Sequence, residues 1–282
     1  MTARITALGT ADAFSAAGRG HTCWLLEDEA GAALIDAGAT VMQGLHRAGF
    51  PPEKIDAVHF THLHGDHFAG WPFLLLDALY RAPRRRPLHI LGPPGTRDRL
   101  AAIWSICYPD TAQKALPFEV VIEEVTAGSA VDFAGRRVTA LAARHQKAPH
   151  VALSLRLETP RSPPPGSPRS PPGSQQTSAP PTRTIAFTGD TGAHPGLVQL
   201  ANGADLLVAE CSELEPRDPD PAARKHLSWR ELRTILPSFG VRRILLGHLG
   251  ADVRSSKAAI EAEGRALGLA LLVCDDGDAP DL

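Results

Sequence analysis

The sequence predicts an α/β fold, and three observations carry that prediction. Short runs rich in Val, Ile and Leu recur at strand length, helical patterns fill several gaps between them, and the runs end in turn residues or reactive side chains. In chain order, strands are expected near residues 5–8, 22–27, 32–36, 57–60, 88–91 and 119–124, then near 137–142, 151–157, 184–187, 205–209, 243–246 and 270–273. Residues 71–80, 97–106, 229–236 and 256–266 read as helices. Ser228-Trp229-Arg230-Glu231 has the form of a capping box, which starts one of these helices at its serine. Gly92-Pro93-Pro94-Gly95-Thr96 reads as a structural turn before another, since it lacks the Gly-Lys-Ser/Thr ending of a phosphate loop.

Composition agrees with one enzyme-sized unit. A chain of 282 residues with 43% hydrophobic content can build a substantial core, so a single domain over residues 1–282 is expected. Residues 159–183 interrupt it with Pro, Ser, Gly and Arg, and should form a disordered or polyproline-like surface insert. No apolar run approaches the ~20 residues of a membrane span, and no apolar signal region follows Met1-Thr2-Ala3-Arg4, so a cytoplasmic protein is expected. Cys23, Cys107, Cys211 and Cys274 are scattered without a CxxC pair and read as reduced thiols. A net charge of −2 gives no global pull on nucleic acid. The basic run at residues 81–86 reads as a solvated connection rather than a steering patch.

The chemistry concentrates in His62-Leu63-His64-Gly65-Asp66-His67, four possible metal ligands in six residues between a strand and a helix. Imidazoles and a carboxylate suit Zn²⁺, Mn²⁺ or Fe²⁺, and a set without thiolates leaves room for solvent on the metal. Three further candidates, His145, Asp190 and His248, each end or follow a strand, where ligands converge beyond a sheet. His150 competes with His145, which is preferred because it directly follows residues 137–142. His59 should point away from the loop, and His194 is read as unrelated to metal. His21 is also set apart from metal binding and kept as a weak candidate for a substrate contact.

This constellation resembles the metallo-β-lactamase superfamily, whose signature is HxHxDH followed by a distant His, a bridging Asp and a final His. Leu8-Gly9-Thr10, the run Ala33-Leu34-Ile35-Asp36-Ala37-Gly38, and Cys274-Asp275-Asp276-Gly277 resemble its opening and closing elements, so the likeness spans nearly the whole chain. Together with the element count, it implies a four-layer αββα sandwich. It also implies two divalent cations, zinc first, with manganese or iron accepted by the same donors. One would be held by His62, His64 and His145, the other by Asp66, His67 and His248, with Asp190 bridging. Asp36 would orient a ligand imidazole, although an Asp before Ala-Gly is equally a turn former.

Leu206-Leu207-Val208-Ala209-Glu210 followed by His226-Leu227-Ser228 is similar to the ribonuclease Z-like branch, in which a strand-end Glu partners a His-x-Thr motif. Ser228 in place of Thr keeps the hydroxyl. The resemblance implies a phosphodiesterase working through a metal-bridged hydroxide, with Asp66 holding or deprotonating it and His226, steadied by Glu210, protonating the leaving oxygen. A small or nucleotide-like phosphodiester is the expected substrate. tRNA is not favoured, because nothing between His145 and Asp190 reads as the folded arm of tRNA-processing ribonuclease Z, although Arg161, Arg169 and Arg183 could make weak contact. The alternatives are tRNA 3′-end processing, acyl or thioester hydrolysis, and mononuclear iron oxidation on the same fold. Relatives of this branch are commonly homodimers, which sets that expectation.

Overall fold

The computed structural model describes residues 3–160 and 182–280. Its strands β1 (Arg4–Gly9), β2 (Cys23–Asp28), β3 (Gly31–Ile35), β4 (Ile55–His59), β5 (Leu88–Gly92) and β6 (Val120–Glu124) lie side by side in chain order. A second sheet repeats this plan with β7 (Ala130–Phe133), β8 (Arg136–Ala142), β9 (Leu153–Pro160), β10 (Thr182–Phe187), β11 (Leu206–Cys211), β12 (Ile244–Leu249) and β13 (Leu271–Val273). Each sheet begins with antiparallel neighbours and ends with parallel ones. Antiparallel pairs need only a turn, whereas parallel pairs need a crossover, and most of these crossovers carry helices.

Strand alternation divides the core into three layers of side chains. Trp24 and Leu26 of β2 face the second sheet, while Cys23 and Leu25 face helices. Ile5, Ile35, Leu91, Phe133, Leu155, Phe187 and Leu245 fill the space between the sheets. Outside the first sheet, Val41, Leu45, Trp71, Leu74 and Trp104 cover Leu34, Val58 and Ile90. Outside the second, Leu197, Trp229, Leu232 and Ile260 cover Leu207, Ile244 and Leu246. Fully burying each such side chain is worth about 1.5–3 kcal/mol, so the three clusters fix the αββα order. At one end, the fully buried Arg136 of β8 reaches Asp28 at 2.6 Å and the Gly31 carbonyl at 2.8 Å, clamping the two sheets together.

Four elements differ from the sequence reading. Strand β7 was not expected; it is a short edge strand joined to β8 by Ala134-Gly135, both at positive φ (47° and 77°). Such a turn announces itself when it carries Asn-Gly, not Ala-Gly. The helix at 71–80 stops at Leu76 and continues as a wider turn, in which Ala82 N–H reaches the Asp77 carbonyl. Arg84, expected in a solvated connection, is 4% exposed, and its guanidinium donates to the carbonyls of Glu53, Ile55, Arg86 and Pro87. Finally, the edges of the 159–183 insert are strand: Thr159 pairs with Arg183 and Pro160 with Thr182, while 161–181 lie outside the described residues.

Other readings hold. The Gly-Pro turn is structural, with Gly95 at φ 91° and Thr96 N–H donating to the Pro93 carbonyl. All four cysteines are free thiols. Among the described residues, no helix is long and apolar enough to cross a membrane.

Candidate metal centre

The ligand-rich motif leaves β4 through Phe60 and Thr61 and enters a short helix, Gly65–Phe68, that carries Asp66 and His67. Two glycines let it seat. A Cβ on Gly38 would collide with the Asp66 carbonyl, and one on Gly70 would collide with the Gly38 carbonyl and Val41. Opposite, the Leu153 N–H donates to the Thr61 carbonyl at 2.9 Å, joining the motif to the start of β9. His145 follows β8, Asp190 follows β10, and His248 lies inside β12 at a bulge, with φ 49°. The same ends of both sheets therefore meet at one cluster.

Three donor groups form there, two of them the expected sets and the third made of His145, Asp190 and His226. One atom each from His62, His64 and His145 lie within 4.8 Å of one another, as do atoms of Asp66, His67, Asp190 and His248. Asp190 Oδ2 stands between the sets, 3.8 Å from Nε2 of His62 and His145 and 3.3 Å from Nε2 of His67 and His248. His150 is not part of this; it is exposed beside Arg99. His59 turns inward against Phe133, away from the motif loop.

Acceptors behind the rings decide which nitrogen faces the cluster. The Thr61 hydroxyl donates to Asp36, so it accepts from Nδ1–H of His62 at 3.1 Å. Thr22 donates to the Ala11 carbonyl and accepts from Nδ1–H of His248 at 2.8 Å. Nδ1–H of His67 donates to Asp36 at 2.8 Å, and that of His145 to the Lys225 carbonyl at 3.1 Å. Each of these four rings is left with its Nε2 lone pair for the cluster, while His64 offers Nδ1. Asp36 thus orients His67 while standing at φ 59°, a left-handed turn conformation, so both readings of that residue hold. Thr22 and Thr61 were not anticipated; for Thr61 alone, the place of its hydroxyl beside His62 was a signal the sequence held.

The arrangement fits divalent cations. His64 Nδ1 lies 3.1 Å from His62 Nε2 and 2.9 Å from His145 Nε2. Donors about 2.0–2.1 Å from a tetrahedral metal stand roughly 3.3 Å apart. His67 Nε2 and Asp190 Oδ1 are buried without a hydrogen-bond partner among the described residues, an expensive state that a cation would relieve. Burial pushes His62 and His145 below the usual imidazole range, which keeps them in the neutral form that binds metal. Burial also opposes charge on His67, but Asp190 and Asp36 outweigh it and raise this ring well above its ordinary value. That point in the cluster calls for positive charge. For Asp66 burial is likewise overcome, and His67, whose Nε2 lies 3.3 Å from its Oδ2, holds its carboxyl at about 2.

Beside the cluster, His226 packs 4.8 Å from the His145 ring and stacks 5.6 Å from that of His248. Its Nδ1 lies 3.0 Å from Glu210 Oε2. Glu210 is itself fastened by Thr191 N–H at 2.5 Å and by the Ser212 hydroxyl at 2.6 Å. Burial works against protonating His226, but the charge and hydrogen bond of Glu210 prevail and raise it to about 9. The capping box is present as expected, with Ser228 and Glu231 exchanging hydrogen bonds, so His226 stands two residues before a helix start. Ser212, which also approaches His226 Nδ1 at 3.2 Å, had no assigned part in the sequence reading.

Comparisons with known proteins agree with this geometry. A family model described as Anti-Pycsar protein Apyc1 matches residues 3–267. The ribonuclease Z of Methanothermobacter thermautotrophicus is 29% identical over 283 residues, covering 92% of this chain and 90% of that protein. The ribonuclease Z of Halorubrum lacusprofundi is 30% identical over 309 residues, covering 99% and 96%. Among solved structures, the metallo-β-lactamase fold protein YhfI from Bacillus subtilis superposes with a TM-score of 0.72 over all of both chains at 20% identity, a likeness of fold.

Proposed function

This chain belongs to the Anti-Pycsar protein Apyc1 family and to the ribonuclease Z-like branch of the metallo-β-lactamase superfamily, and from that premise we propose that it is a dinuclear phosphodiesterase acting on small or nucleotide-like phosphodiesters. It is a metal-dependent hydrolase. The observation that carries the finer reading is the pair of donor sets on either side of Asp190 with His226 at their edge. His62, His64 and His145 would hold one cation, Asp66, His67 and His248 the other, and Asp190 both, with zinc the first choice for these donors.

Bound there, the two cations would neutralise the phosphodiester oxygens and make a water acidic enough to attack at neutral pH. Asp66, its carboxylate kept ionised, would be the residue to align a water there and take its proton. His226 is committed through Nδ1 to Glu210, so Nε2 is the atom that gives a proton to the leaving oxygen. Glu210 keeps the ring both charged and oriented, and Ser212 and Thr191 keep Glu210 from turning away. We place the enzyme in the cytoplasm, as one domain.

The ribonuclease Z relatives favour a second reading, tRNA 3′-end processing, because they match nearly the full chain. The two readings separate on paired substrates. Metal-loaded protein should hydrolyse bis(4-nitrophenyl) phosphate and leave a precursor tRNA with a 3′ trailer intact. Site-specific trailer cleavage would move the assignment to the second reading.

A further inference from the structure

The three-imidazole set stands on two loops from opposite halves of the chain. His62 is fully buried just beyond β4, but His64 is exposed, and His145 sits in the loop at residues 143–152. Nδ1 of His64 and Nε2 of His145 are 2.9 Å apart. In the tautomers that bind metal, their lone pairs converge and repel until a cation joins them, so the two loops need a brace. The base of the second loop is closed where Ala143 N–H donates to the Ala152 carbonyl at 3.1 Å. Arg144 N–H donates to the Thr191 hydroxyl at 2.9 Å, and the Arg144 carbonyl accepts from Gly192 N–H at 3.0 Å. Residues 147–150, on the far side of His145, are exposed and turn on themselves, with His150 N–H donating to the Lys147 carbonyl.

Arg99 is placed to be that brace. Its Nη1 donates to the Leu63 carbonyl at 3.4 Å, and Leu63 stands between His62 and His64. Its Nη2 donates to Nδ1 of His150 at 3.3 Å, so one guanidinium spans both loops. The planar fork suits this task, because it fixes two acceptors relative to each other. The support behind it is firm. Arg99 lies in the first turn of the helix Thr96–Cys107, whose start is fastened to β6 by Glu124, the acceptor for Gly95 N–H at 3.2 Å and Arg97 N–H at 2.8 Å. The Thr96 hydroxyl donates to the Pro93 carbonyl at 2.6 Å, and Leu100 packs in the core. The Gly-Pro turn, structural in its own contacts, therefore delivers a side chain to the ligand-rich motif.

We propose that Arg99 is a positioning residue for the three-imidazole set, holding His64 and His145 at the spacing that one cation needs. This inference rests on the two-cation reading of the centre and adds what preorganises one half of it. Groups that orient metal ligands from outside typically change affinity about 10–100-fold, and a bridge of two long hydrogen bonds belongs near the lower figure. The test separates the halves. Asp66→Ala/His248→Ala keeps the three imidazoles, and His62→Ala/His145→Ala keeps Asp66, His67, Asp190 and His248. The Zn²⁺ affinity of each full-length protein is read by competition with a chelator. Arg99→Met, which retains the aliphatic stem and its packing, should weaken Zn²⁺ binding about tenfold in the first background and less than about twofold in the second. His150→Ala should also weaken it in the first background, and adding this change to Arg99→Met should cost nothing further, because both remove one bridge. Unchanged affinity in the first background, equal losses in both backgrounds, or additive losses for the two variants would overturn the positioning role alone. No Zn²⁺ bound by the first background with Arg99 intact would overturn the two-cation reading, and this role with it.

Discussion

The His226 imidazole has an anchored carboxylate behind it and the donor cluster beside it, so its effect should depend on what leaves the phosphorus. A 4-nitrophenolate needs no proton to depart, whereas an alkoxide does. His226→Ala should therefore cut turnover of an alkyl diester about 10²–10³-fold, cut that of bis(4-nitrophenyl) phosphate less than about tenfold, and leave the metal content unchanged. Equal losses on both substrates would make His226 a positioning residue. A second histidine matters for stability alone. His59 lies between the sheets, both ring nitrogens without a hydrogen-bond partner among the described residues, and burial, then Arg136, lowers it to about 3. An unfolded histidine titrates near 6.5, so between these values the unfolded chain binds a proton that the folded chain refuses. Folding stability should therefore fall as pH drops from about 6.5 towards 3, by about 1.4 kcal/mol per unit, with no such slope above 6.5. Urea unfolding of metal-free protein at pH 7 and pH 5 should show His59→Leu losing about 2 kcal/mol less than wild type across that interval. Equal losses would refute the assignment.

At the level of elements, the sequence was legible where apolar periodicity speaks. The inward and outward faces of β2 and β12, and the donor residues at strand ends, follow from alternation and from where the runs stop. Strand β7 was hidden because its turn uses Ala134, and the His248 bulge because a β-bulge has no composition of its own. The hydroxyls behind the ligand rings were illegible for a different reason: Thr22 and Ser212 meet His248 and His226 only after distant segments converge. Topology also bears on the insert. Pro160 and Thr182 pair at the end of β9 and β10 opposite Leu153 and Phe187, whose ends lead to the cluster. Residues 161–181 can therefore be replaced by a two-residue Asn-Gly hairpin turn. Small-diester kcat/KM should stay within about twofold of wild type. A tenfold loss would make the insert part of the site.

For the molecule as a whole, the centre belongs to neither sheet. His62, His64, Asp66 and His67 come from the first half of the chain, and His145, Asp190, Glu210, His226 and His248 from the second. The donors meet because the shared core holds the sheets face to face, so cation binding should favour the folded state in turn. Asp190 is where the two halves join, being in reach of both donor sets through one oxygen. The most direct measurement is metal content per chain alongside hydrolysis of bis(4-nitrophenyl) phosphate, for wild type and Asp190→Ala reconstituted with Zn²⁺ or Mn²⁺. Two metals and turnover in the wild type, with loss of paired metal loading and at least a 10³-fold fall in rate for the variant, is the predicted result. A variant that keeps both metals and its activity would contradict the dinuclear centre proposed around Asp190.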